Sequence, residues 1–117
     1  MKINVIVVPE KTEFIKDTSY HNEIYINKNL GIPKLKERNT KYCAPFWLDE
    51  NPQGANRVYH ILDTYDNGDC TVLVLGNSFV IDHLWNKLGS NRKYEYHLLE
   101  SFNFIEIKDG LLINYNF

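Results

Sequence analysis

Five large rings, Trp47, Tyr59, Trp85, Tyr94 and Tyr96, and seven cations, Lys34, Lys36, Arg38, Lys41, Arg57, Arg92 and Lys93, are the residues of this sequence best suited to engage a ligand. Rings offer flat faces for stacking and cations meet phosphates. Asn56, Asn77 and Ser78 add amide and hydroxyl groups that can read a hydrogen-bonding edge. Capture of a base outside a duplex needs this combination. Each residue also has a plainer reading. A Trp in a small domain more often fills the core, because aromatic side chains bury large areas, and Trp47 fits that reading. Trp85 is expected on a short surface helix beside a polar loop, where its ring suits a ligand as well as a core. A run such as Lys34 to Lys41 is usually a solvated face. A second basic stretch, Gly89 to Lys93, allows the two to frame one positive groove.

Catalytic patterns are weak by comparison. Glu106-Ile107-Lys108 has the spacing of a nuclease metal site, but no Pro-Asp element stands at a suitable distance before it, and alternating polar residues on an exposed strand give the same pattern. His21, His60, His83 and His97 lack the HxH, HExxH or HxE with PCxxC spacings that zinc chemistry needs. Cys43 and Cys70 lie in apolar runs without CxxC spacing, and such surroundings raise a thiol's pKa. They are expected to be small buried hydrophobes and not nucleophiles partnered by His60 or His97. The expectation is a binding module, not an enzyme, with no metal and no cofactor.

The elements that would position these residues belong to one domain of 117 residues. Hydrophobic residues at 44% and aromatics at 14% supply enough apolar surface for an ordered core. A net charge of -2 gives no global attraction to nucleic acid or to an anionic membrane, so any polyanion must be met locally. No apolar run reaches the roughly 18 to 20 residues of a membrane span. The first run also stops at Pro9-Glu10, too early for a signal peptide. A cytoplasmic location with no membrane partner is expected.

Ile3 to Val8, a β-branched run closed by Pro9, predicts a strand buried on both faces. Glu13 to Asp17 suits a helical turn, and Asp17 to Gly31 a loop with a short strand at Glu23 to Ile26. Gly31-Ile32-Pro33 reads as a break before the basic stretch, followed by strands at Tyr42 to Leu48 and Arg57 to Thr64 around a turn at Asn51 to Gly54. Asn67-Gly68 predicts a hairpin joining Val58–Tyr65 to Cys70–Leu75. Gly76-Asn77-Ser78 reads as a bulge or a close approach, and Asp82 as the cap of a helix from His83 to Leu88 ended by Gly89. Leu98 to Phe102 suits a helical turn, and Phe104–Ile107 with Leu111–Tyr115 a closing hairpin about Asp109-Gly110. Short strands with small inserted helices predict an α+β fold, a small and highly curved antiparallel or mixed β-barrel.

The order of three segments, Lys41-Tyr42-Cys43-Ala44-Pro45-Phe46-Trp47, Arg57-Val58-Tyr59-His60-Ile61 and Arg92-Lys93-Tyr94-Glu95-Tyr96-His97-Leu98-Leu99-Glu100, resembles the PUA-like superfamily, which includes the EVE, YTH and ASCH domains. It is similar in particular to versions found beside nucleases in bacterial defence systems. The resemblance spans most of residues 3 to 107. It implies a small β-barrel whose cleft accepts a nucleobase, often a modified or extruded one, against aromatic side chains, and hence a single-stranded or modified nucleic acid as partner. Two other readings stand beside it: a protein-interaction or inhibitor module in a phage and host conflict, suited to the many Tyr residues, and a pocket for a free nucleotide or other small metabolite.

Overall fold

The computed structural model describes residues 2–11, 16–17, 22–27, 31–89, 93–108 and 111–116, with side chains described at 2–11, 23–26, 32–81, 83–89 and 93–102. Its centre is strand β1 (Asn4–Glu10), in which Val5, Ile6, Val7 and Val8 are all fully buried. This strand pairs in parallel with β4 (Thr40–Trp47) and antiparallel with β7 (Glu95–Leu98), so both its edges and both its faces are covered, as its run of β-branched residues predicts. The longest elements, β5 (Ala55–Asp66) and β6 (Cys70–Trp85), form the expected hairpin. Its turn carries the positive φ at Gly68, 100°, and Asn67 Oδ1 accepts from the backbone N–H groups of Asp69 and Cys70 at 3.0 and 2.9 Å.

With β2 (Lys16–Asp17) and β3 (Asn22–Asn27), these strands lie in the order β2-β3-β6-β5-β4-β1-β7. Strand β6 is long enough to take two neighbours on the edge away from β5: β3 along Cys70–Leu75, and β8 (Asn103–Lys108) at Val80 and Ile81. The pair β8 and β9 (Leu111–Asn116) makes the expected closing hairpin, with Asp109 and Gly110 outside the described residues. The sheet curls into a half barrel with little helix. Side chains bridge part of the curl, since the Trp85 ring at the end of β6 lies 4.7 Å, centre to centre, from His97 on β7.

Three expectations need correction. No helix forms at His83 to Leu88. Strand β6 runs on to Trp85 because Val80 and Ile81 pair with β8 and Trp85 pairs with Ala55, so long-range ladders override the local helix signal. Conversely, a helix α1 (Gly31–Glu37) replaces the predicted break. Pro33 falls in its first turn, where a missing N–H leaves no hydrogen bond unmade. Of the helical turn expected at Glu13 to Asp17, residues 12–15 lie outside the described residues, and Lys16-Asp17 pair with β3 as a strand. Elsewhere the strand at Glu23 to Ile26 and the helical turn, here a 3-10 turn at Leu99–Ser101, are present. Register also shifts opposite His60, where Gly76 and Asn77 face one residue, so Gly76-Asn77-Ser78 contains a bulge.

Two cores lie on opposite faces of β1, as the two-residue alternation of a strand requires. Val5 and Val7 join Ala44, Phe46, Ala55, Val58, Ile81, Trp85, Leu99 and Phe102. Ile6 and Val8 join Ile24, Ile26, Leu35, Cys43, Leu73 and Leu75. The first is an aromatic core: Trp85 stacks on Phe102 at 5.4 Å and meets Phe46 edge to face at 6.3 Å. The second is aliphatic, with Leu35 of α1 among its members.

Candidate nucleic-acid interface

On the aliphatic face, register lines up a row across four strands. Tyr59 pairs with Cys43, Cys43 with Ile6, and Ile6 with Tyr96. Paired residues in neighbouring strands point to the same face, so these four side chains form a band three strand spacings wide, about 14 Å at roughly 4.8 Å each. Cys43 and Ile6 in the middle are fully buried in the cluster that holds Leu35. Tyr59 and Tyr96 at the two ends are only half buried and pack against that cluster, as does Tyr94, two residues before Tyr96 on the same face. Helix α1 contributes to the buried middle of the band, and tyrosines stand along its rim.

The cations are brought to this rim by the end of α1. Asn39 adopts φ 50°, a left-handed conformation that Asn tolerates better than most residues, and closes the helix there. Its backbone N–H donates to Lys36 O at 3.0 Å and its side-chain amide to Lys2 O at 3.1 Å. Asn4 reciprocates: its side-chain amide donates to Arg38 O at 2.6 Å and its backbone N–H to Asn39 O at 3.1 Å. The latch fixes Arg38 beside β1, where its guanidinium stands 5.2 Å from the centre of the Tyr96 ring. Lys34 and Lys36 flank Leu35 on the helix and are exposed, and Lys41 is exposed at the start of β4. Among the described residues none of these three lysines is in an ion pair. Burial pushes the Tyr96 phenol above its ordinary pKa, with Arg38 opposing, so the ring keeps its proton, and its hydroxyl finds no partner among the described residues.

The remaining expected site residues divide. Arg57, two residues from Tyr59 on the same face of β5, donates from Nη1 to Ser78 Oγ at 3.0 Å, and Ser78 is paired opposite Tyr59. Both therefore extend the band on its β5 side. Lys93 is exposed and leads into Tyr94 and β7; Arg92 lies outside the described residues. Asn56 is exposed at the register shift between Ala55 and Arg57, and Asn77 is exposed at the bulge. Trp47 is half buried at the far end of β4, about 20 Å along the strand from Lys41 at roughly 3.3 Å per residue. Trp85 belongs to the opposite core and is 5% exposed, so the expected surface ring on a helix is replaced by a core ring on a strand. Asn4 and Asn39, which hold Arg38, were missed by sequence reasoning. An Asn one or two residues beyond a helix end was the available signal.

The other chemistry-bearing residues also fall into place. Cys43 is buried, and burial pushes its thiol far above the ordinary range; Cys70 is only half buried at the hairpin turn, contrary to the expectation for both. Glu95 accepts from the Gly89 backbone N–H at 2.7 Å and lies 2.9 Å from His97 Nε2. The His97 contact, helped by the Gly89 N–H, holds its carboxyl below the usual value, against the effect of burial. Among the described residues no three His, Cys, Asp or Glu side chains gather as a metal site, and no helix is long and apolar enough to cross a membrane. The side chains of Glu106 and Lys108 lie outside those described. No protein-family model, curated protein or solved structure matches the chain.

Proposed function

We propose that the tyrosine band and its cationic rim form a binding face for single-stranded nucleic acid, and that the protein is a binding module, not an enzyme. The observation that carries this reading is Arg38 held over Tyr96 at the end of a row that also ends in Tyr59. Rings at the rim offer stacking worth about 1–3 kcal/mol per base. Lys34, Lys36, Arg38 and Lys41 meet the phosphates, which supplies locally the attraction that a net charge of -2 denies globally. The PUA-like resemblance of the sequence is part of this reading, and a modified or extruded base is the ligand that the resemblance favours. A cytoplasmic role in bacterial defence belongs to the same proposal.

Anisotropy of a labelled single-stranded oligonucleotide across a salt series tests the reading. Four phosphates neutralised at about -0.7 each give a slope of log K against log salt near -2.8. Affinity should then drop roughly fifty-fold between about 50 and 200 mM salt. Absence of binding at the lower salt concentration removes the proposal.

A further inference from the structure

Strand β7 ends the strand order, with β1 along one edge and, among the described residues, no strand along the other. Just beyond β7 the Leu99 N–H donates to Ile3 O at 2.9 Å, which makes Ile3 and Leu99 a hydrogen-bonded pair of this antiparallel ladder. Bonded pairs recur at every second residue, so Val5 with His97 and Val7 with Glu95 are bonded as well. The backbone N–H and C=O of Tyr96, between them, therefore point to the outer edge. Natural proteins guard such edges with Lys, Pro or a bulge. The four residues of β7, Glu95-Tyr96-His97-Leu98, include neither Lys nor Pro, and their register with β1 is unbroken.

We propose that this edge pairs with β7 of a second copy of the chain, antiparallel about a two-fold axis that passes through Tyr96. Tyr96 then exchanges both outward backbone bonds with the partner's Tyr96, as a self-complementary interface requires. The side chains are self-complementary about the same residue. Glu95 falls opposite the partner's His97 and His97 opposite the partner's Glu95, each in a non-hydrogen-bonded pair, where side chains approach most closely. A carboxylate thus meets an imidazole twice. An axis through Glu95 or His97 would instead set like against like. Both side chains are within reach of a partner, Glu95 at 25% and His97 at 29% exposure. They touch each other at 2.9 Å within one chain, and a carboxylate can accept further bonds. Trp85 and Gly89 meet these two residues only through their side chains and leave the β7 backbone edge open. Leu98 O already accepts from Ser101 Oγ at 2.7 Å, which keeps the shared ladder short and the association dependent on concentration.

Sedimentation velocity across a concentration series, without nucleic acid, should show the native chain passing from monomer to dimer. Glu95→Lys sets an ammonium opposite the partner's His97, and His97→Glu sets two carboxylates opposite each other, so each variant alone should associate roughly tenfold more weakly. Mixed together, the two variants restore opposite signs at both contacts and should form a heterodimer, which a loss of structure within one chain would not produce. In the native protein the Tyr96 amide hydrogen should exchange more slowly as concentration rises, whereas the Glu95 amide, already bonded to β1, should not change. A native chain that stays monomeric, undiminished association of both variants, a mixture without heterodimer, or Tyr96 exchange independent of concentration overturns the proposal.

Discussion

The two faces of β1 receive alternate residues of a single apolar run, yet they are finished in opposite ways. On one, Val5 and Val7 lie under Phe46, Trp85 and Phe102, rings that pack on one another. On the other, Ile6 and Val8 join aliphatic neighbours and Leu35 of a seven-residue helix, with hydroxyl-bearing rings and cations left at the margin. A strand's alternation provides both faces with apolar side chains, but only the covering element decides which face keeps rings and charge in reach of solvent. Helix α1 is that element. It closes the middle of the tyrosine band while presenting Lys34 and Lys36 outward, and it ends beside Arg38.

Substitutions can sharpen or break this contrast. Phe102→Ala on the aromatic face should lower unfolding stability by about 3–5 kcal/mol, and Leu35→Ala on the aliphatic face by about 2–5 kcal/mol, both read by urea denaturation. Only Leu35→Ala should also weaken oligonucleotide binding under conditions where both proteins are folded. Next in size, replacing Lys34, Lys36 and Lys41 together with Glu should reduce affinity by roughly fifty-fold or more while leaving stability within about 0.5 kcal/mol, because all three are exposed. Equal binding by that variant would place the nucleic acid elsewhere.

Smaller effects probe the latch and the buried groups. Asn39→Ala should destabilise by about 1–2 kcal/mol through its left-handed backbone and the lost bond to Lys2 O, and Asn39→Gly, which loses only that bond, should destabilise less. If the latch positions Arg38, Asn4→Ala should lower affinity and leave the affinity's salt slope nearly unchanged. A thiol reagent at neutral pH should label Cys70 and spare Cys43 until unfolding. The smallest effect concerns Glu95. Its carboxyl sits lower in the fold than its ordinary value of 4.5, so its stabilisation is complete above that value and fades as pH falls through the lowered one. Glu95→Gln should therefore flatten the acid limb of the stability profile and change little above it.

Much of this contrast was written in local pattern. The run Val5 to Val8 already requires two buried faces, and Asn67-Gly68 already requires a hairpin. The tyrosines and lysines of the band were recognisable as types, since stacking and phosphate chemistry need those groups. Their convergence was not, because Tyr59, Cys43, Ile6 and Tyr96 are aligned by parallel and antiparallel ladders between distant segments. Trp85 was misplaced for the same reason: His83 to Leu88 has the cap and stop of a helix, and only pairing with Ala55 and β8 draws it out as a strand. Helix α1 was hidden by Pro33, which reads as a breaker unless it falls in a first turn.

Mapping amide chemical shifts during titration with a short single-stranded oligonucleotide tests the central claim most directly. The expected result is a contiguous set of perturbed resonances at Lys34, Lys36, Arg38, Lys41, Tyr59, Tyr94 and Tyr96, with the β5–β6 turn and Trp85 unmoved. Perturbations centred on Leu62 and Tyr65, the exposed apolar residues of β5, or on the aromatic face, with the tyrosine band silent, would contradict the account.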